Sequence, residues 1–230
     1  PAVSAGIALA PRDGEDAERL LASARCAAQQ ATDVRSCEFF SPAHGARSRV
    51  RVLMESALRG AIERRELRLA FQPRVTIDTF ELTGVECLLR WEHPQFGAVS
   101  PGEFVAIAEE TGFIDEIGRW VIKEACRQLA DWRERFKDSF FISVNLSGRQ
   151  LRDPKIVDLV KDSLAATDLP PEALEIEIAE ASLIDAPQEV QSGLTALRNA
   201  GVRVAIDDFG SGHSSLGQLR RTQFDCLKLD

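Results

Sequence analysis

The chain has 230 residues, 44% of them hydrophobic, with a formal charge of -8 and a pI near 5.1. That is enough apolar side chain for one large core or two smaller ones, and the acidic balance excludes a general nucleic-acid surface, which needs a basic excess against phosphate. Five scattered cysteines (Cys26, Cys37, Cys87, Cys126, Cys226) without CxxC spacing read as reduced thiols, several of them in the core, and favour the cytoplasm. No run reaches the ~18 apolar residues of a membrane helix.

In chain order, an apolar strand is expected over 3–10, a turn at Pro11-Arg12-Asp13-Gly14, a helix over 16–30 and a strand over 37–40. Such a piece is too small to enclose a core, so it reads as the end of an α/β domain. Over 46–66, Val50, Leu53, Met54, Leu58 and Ile62 recur at three- and four-residue steps among charges, the pattern of an amphipathic helix. It reads as a linker, with signal transmission and passive connection equally open. Strands are then expected over 67–75 and 81–90, followed by a loop through His93-Pro94-Gln95-Phe96-Gly97. Ile117, Val121, Ala125, Leu129, Trp132 and Phe136 share one face of a long helix, which is read as core. Strands over 140–146, 174–179, 202–207 and 224–229 alternate with helices over 155–166, 187–200 and 214–221. That alternation, without a GxGxxG loop, points to parallel βα units and a TIM-type (β/α) barrel.

In such a barrel the chemistry sits at the C-terminal strand ends. The polar residues near those ends are Gln72, Glu86, Arg90, Asn145, Glu177, Glu180, Asp207, Asp208 and Lys228. Carboxylate and carbonyl oxygens without a His or Cys set suit Mg²⁺ or Mn²⁺ more than zinc. Adjacent carboxylates with others nearby suit two ions about 4 Å apart, as in displacement at phosphorus. Each residue also has a plainer reading. Glu86 is a possible ion-pair partner for Arg90, and Asn145 a cap near Ser147. Glu175 and Glu177 alternate on what could be the polar face of an edge strand. Arg203 neutralises at most one of Asp207 and Asp208. Lys228 alternates with Cys226 and Asp230, which suggests an interior amine with a lowered pKa, able to act as a base.

Residues 67–230 resemble the EAL domain, the cyclic di-GMP phosphodiesterase family. The resemblance is carried by Phe71-Gln72-Pro73, Glu86-Cys87-Leu88-Leu89-Arg90-Trp91, Ser100-Pro101-Gly102-Glu103-Phe104 and Ala108-Glu109-Glu110-Thr111-Gly112. It continues through Ser143-Val144-Asn145-Leu146-Ser147, Glu175 to Glu180, Asp207 to Gly212, and Leu227-Lys228-Leu229-Asp230. Residues 1–42 resemble the C-terminal part of a GGDEF domain through Val3 to Ala8, Asp13-Gly14 and Leu20-Leu21. Here Ala31-Thr32 and Arg35-Ser36-Cys37 replace that family's Ala-Lys and Gly-Arg-Asn, so no cyclase activity is expected. The expected domains are thus 1–42, a linker helix over 43–66, and 67–230.

The resemblance implies hydrolysis of cyclic di-GMP to linear pGpG, or, as the alternative, a non-catalytic receptor that relays cyclic di-GMP binding through the linker. It implies metal ligation by Glu86, Asn145, Glu177 and Asp207, with Asp208 helping to hold a second ion. Lys228 would assist the water, Gln72 and Arg90 would contact the dinucleotide, and Glu180 would steady the loop after the Asp pair. It implies no DNA or RNA polymer and no membrane in this segment, and it allows a homodimer through the EAL domain. Cys87 and Ala179 stand where the family commonly has alanine and threonine. With six of the expected strands before Asp230, the chain is expected to be part of a longer GGDEF-EAL protein whose remainder adds a glutamate and a glutamine to the site.

Overall fold

The structure, a computed structural model, describes residues 5–28, 37–136, 140–183, 188–210 and 223–229, with backbone alone for 42–49. The chain forms two compact units, Pro1–Arg59 and Gly60–Asp230.

In the first unit, β1 (Ala5–Ile7) and β2 (Cys37–Phe39) pair in parallel, connected through α1 (Ala17–Ala28). Gly6 lets α1 lie directly on β1: a Cβ there would sit 1.8 Å from the Ala24 carbonyl oxygen. The strands are shorter than the expected 3–10 and 37–40. The amphipathic helix is α2 (Pro42–Leu58), which ends well before residue 66. Gly60, at φ 77°, provides the left-handed backbone that commonly stops a helix, and turns occupy 59–65.

The second unit contains β3 (Leu67–Val75), β4 (Leu82–His93), β5 (Gly97–Val99), α3 (Pro101–Thr111), α4 (Ile114–Phe136) and β6 (Phe141–Asn145). These are followed by α5 (Gly148–Leu151), α6 (Lys155–Ala166), β7 (Leu174–Ala179), α7 (Gln188–Asn199), β8 (Arg203–Phe209) and β9 (Cys226–Leu229). The expected helix over 214–221 lies outside the described residues. The strand order is β3-β4-β6-β7-β8-β9, with β5 on β4. From β4 to β9 the neighbours are parallel, as expected. The β3–β4 pair is antiparallel, contrary to the all-parallel expectation. Its connection is a tight turn in which Thr76 N donates to Glu81 O, too short for the helix that a parallel crossover requires. The loop after His93 is likewise a hairpin to β5, and α3 follows it, begun by Pro101 and ended at Gly112 with φ 84°.

Strand β7 is buried on both faces, one apolar and one carrying carboxylates. On β7, Leu174, Ile176 and Ile178 are fully buried, and so are the alternating Glu175 and Glu177. One face therefore meets the helices while the other looks into a concave interior. Arg74 on β3 shows the curvature, because it hydrogen-bonds Glu175 on β7 and lies 3.4 Å from Cys226 Sγ on β9. In a flat sheet β7 and β9 would stand roughly 14 and 24 Å from β3, so the sheet curls. On α4, Ile117, Val121, Ala125 and Leu129 are buried as expected, but Phe136 is 65% exposed at the last residue of the helix. Cys87 and Cys126 belong to the core. Burial pushes both thiols up, Cys126 to about 11, which leaves them unreactive.

Strand β9 is set in register by Asp225. Its carboxylate accepts from Val204 N at 2.9 Å and from Arg198 Nη2 at 2.7 Å, and its own N–H donates to Val204 O. Burial would raise this carboxyl's pKa, but the Arg198 and Val204 bonds outweigh it and hold it below its ordinary value. A depressed folded pKa contributes stability above the unfolded value, about 3.9, which is lost as pH falls through the folded one. Asp225→Asn is therefore expected to cost about 1–2 kcal/mol at pH 7. Urea midpoints of wild type and variant should converge at acid pH; an equal gap at both pH values would contradict the assignment.

Candidate metal centre

The parallel register places carboxylates from three strands at one end of the concave face. Glu86 precedes the last residue pair of β4 with β6, Asn145 pairs with Glu177 at the end of β6, and Asp207 pairs with Ala179 at the end of β7. Strand alternation turns Glu86, Glu177 and Asp207 to the interior, where carboxylate oxygens of all three lie within 4.8 Å of one another. From β9, Lys228 Nζ donates to all of them: 3.0 Å to Glu86 Oε2, 2.6 Å to Glu177 Oε2 and 3.0 Å to Asp207 Oδ2. Asn145 Nδ2 donates to Glu86 Oε1 at 3.1 Å.

The electrostatics follow from this crowding. Burial pushes the Glu177 carboxyl upward, partly opposed by Lys228 and reinforced by Glu86. Burial alone would lower the Lys228 pKa, but the bonds to Glu177, Asp207 and Glu86 raise it well above its ordinary value. In the metal-free protein the expected lowering of the Lys228 pKa is thus corrected: three carboxylates around one amine favour the ammonium form. One ammonium does not neutralise three carboxylates, so the cluster retains excess negative charge on hard oxygen donors. Such a donor set fits Mg²⁺ or Mn²⁺.

The structure settles the plainer readings against themselves. Glu86 is engaged by Lys228 and Asn145, while Arg90 donates to Leu89 O. The α5 cap is Ser147, in a capping box with Gln150, which leaves Asn145 for Glu86. Glu175 and Glu177 lie on the interior strand β7 and are fully buried, not on an edge. Arg203 sits 3.3 Å from Glu175 Oε2 and so serves neither Asp207 nor Asp208.

Other expected residues stand outside the cluster. Asp208 is exposed at φ 54°, where the β8–β9 register shifts between Ile206 and Phe209. Its N–H donates to Asp207 Oδ1 at 3.0 Å. Glu180 is buried, and its Oε2 accepts from Gly210 N at 2.9 Å, holding the backbone after the Asp pair. Gln72 is exposed on β3 opposite Glu86. Arg90 lines a 360 Å³ cavity together with Asn145, Glu109 and apolar side chains of α3 and α4.

Sequence reasoning missed Arg74, whose Nη1 lies 3.3 Å from Glu177 Oε1. The available signal was its position two residues after Gln72, on the same strand face.

Residues 55–230 match the EAL domain family. The chain is similar to the signaling protein YkoW of Bacillus subtilis, 37% identical over 230 residues, covering 99% of this chain and 29% of that protein. It is also similar to the bifunctional diguanylate cyclase/cyclic di-GMP phosphodiesterase MucR of Pseudomonas aeruginosa, 40% identical over 232 residues, covering 99% of this chain and 33% of MucR. Among solved structures, the PaMucR phosphodiesterase complex with c-di-GMP has a TM-score of 0.73 at 42% identity, covering 77% of this chain and 72% of that one. The chain spans about a third of the length of these curated relatives.

Proposed function

Because the chain belongs to the EAL domain family, we propose that its second unit carries out metal-dependent hydrolysis of cyclic di-GMP to linear pGpG. The observation that carries this reading is the convergence of Glu86, Glu177 and Asp207 on Lys228, with oxygens within 4.8 Å and more negative charge than one ammonium balances. The phosphodiesterase named among the relatives, and its complex with c-di-GMP, supply the substrate.

Hydrolysis joins a water oxygen to one phosphorus, breaks one P–O bond to ribose, and leaves a proton on the departing ribose oxygen. Glu86, Asn145, Glu177 and Asp207 would hold one ion and Asp208 would help hold a second. Bound there, Mg²⁺ or Mn²⁺ supplies Lewis-acid charge that makes water more acidic and offsets charge developing on phosphoryl oxygens. Lys228, which donates to all three carboxylates, would stand beside the water and assist it. Glu180 fixes the backbone at Gly210, and Gln72 and Arg90 contact the dinucleotide.

The curled sheet supports a TIM-type barrel of which these strands are a part. Residues 1–42 are assigned to a degenerate GGDEF remnant, 43–66 to the linker and 67–230 to the EAL domain. No described helix is long and apolar enough to cross a membrane; a cytoplasmic setting and a homodimer through the EAL domain complete the proposal. The test incubates the full-length protein with cyclic di-GMP and Mg²⁺ or Mn²⁺ and looks for pGpG by chromatography. Tight binding with no product would instead make the domain a receptor.

A further inference from the structure

Toward the N-terminal ends of the parallel strands, the concave side of the sheet holds a charged unit that the hydrolysis does not use directly. A 540 Å³ cavity there is lined by Arg74, Arg133, Phe141 and Arg203, among others. Arg74 Nη1 is hydrogen-bonded to Glu175 and lies 3.3 Å from Glu177 Oε1. The other oxygen of Glu177 accepts from Lys228 at 2.6 Å, so this fully buried carboxylate is gripped at both ends. Glu175 Oε2 faces Arg203 Nε at 3.3 Å, an ion-pair contact without hydrogen-bond alignment.

Both guanidiniums rest on one ring: Arg203 is 4.2 Å and Arg74 4.9 Å from the Phe141 centroid. The ring reaches that place because residue 84 is glycine. Gly84 pairs with Arg74 on one side and with Phe141 on the other, and a Cβ there would sit 2.6 Å from Phe141 Cζ. An arginine stacked on an aromatic face, with Nη1 shared between two carboxylates and Nη2 against Cys226 Sγ, has little freedom to turn.

We infer that Arg74, seated on Phe141 in the gap left by Gly84, is a positioning residue that fixes the orientation of the metal-ligating carboxylate Glu177. The inference rests on the phosphodiesterase reading. Without Arg74, Glu177 Oε1 loses its charged partner and the carboxylate is free to rotate toward Lys228 alone. Partners of metal ligands typically change metal affinity or activity by about 10- to 100-fold when removed.

The test compares full-length wild type with Arg74→Gln, titrating Mn²⁺ alone by electron paramagnetic resonance without dinucleotide, beside kcat and KM for pGpG formation. Mn²⁺ binding is expected to weaken by about tenfold or more and kcat to fall similarly, with KM for cyclic di-GMP little changed. Arg74→Lys should recover only part of both, because an ammonium lacks the planar guanidinium that stacks on Phe141. A folded Arg74→Gln protein with a lower melting temperature but wild-type Mn²⁺ affinity and kcat overturns the inference, since a purely structural strut would behave that way. Should Arg74→Gln not fold, Phe141→Leu removes the seat while keeping the arginine. Weakened Mn²⁺ binding is again expected, and unchanged binding overturns the inference. Wild-type protein that neither binds Mn²⁺ nor forms pGpG overturns the phosphodiesterase reading and this inference with it. Wild type that does both, beside an equally competent variant, overturns the inference alone.

Discussion

Glu86→Ala is expected to reduce pGpG formation by at least about a thousandfold, because Lewis-acid stabilisation of a phosphoryl transition state amounts to several kcal/mol. Glu86 is the member of the cluster contributed by β4, and it joins Asn145 on one oxygen to Lys228 on the other. Its removal takes away one of three converging carboxylates and leaves both of those partners to find new acceptors. Chromatography of product at saturating Mg²⁺ reads the loss. Near-wild-type turnover would place the site elsewhere on the molecule.

Lys228→Met is expected to show that the lysine and the divalent ion answer the same demand for positive charge. In chelator, the variant leaves Glu86, Glu177 and Asp207 facing one another with their shared ammonium gone. Breaking a buried charge pair costs about 3–5 kcal/mol; with Lys228 21% exposed at its side chain, about 2–3 kcal/mol by urea denaturation is expected. Mn²⁺ should then raise the melting temperature of the variant more than that of wild type, because the ion relieves repulsion that the lysine otherwise offsets. Turnover should fall by about 10²- to 10³-fold even with Mn²⁺ saturating, the range for removing one preorganised donor. The raised Lys228 pKa gives the sign of its pH dependence. In the metal-free protein its stabilising contribution is complete below the ordinary lysine value, about 10.4, and disappears only as pH rises through the higher folded value. A stability advantage of wild type over Lys228→Met that vanished between pH 6 and 8 would restore the lysine as a low-pKa base.

Much of the second unit was legible because hydrophobic periodicity and strand-end chemistry are local properties. The α6 and β7 bounds coincide with the pattern in the sequence, and the buried face of α4 follows from its three- and four-residue spacing. The β3–β4 hairpin was not legible, since apolar strand patterns are alike in parallel and antiparallel pairs; only the length of the turn decides. Residues 59–66 of the expected helix were lost to Gly60, where backbone conformation overrides a continuing amphipathic pattern. Asn145 and Glu86 each had a plausible local partner in Ser147 and Arg90. Distance along the chain favoured those partners, and the fold placed better ones closer.

The family, the run of strands and helices, and the residue types of a hard-cation site follow from the amino-acid order alone, because they depend on composition, period and short motifs. Which side chains pair with which depends on how the strands come together in space. Curling of the sheet carries Arg74 from β3 to Glu175 and Glu177 on β7, and Asp225 docks β9 so that Lys228 meets three carboxylates at once. A lysine between two leucines reads the same whether its neighbours are water or carboxylates. Its charge state is set by those neighbours, and they come from strands up to 142 residues away.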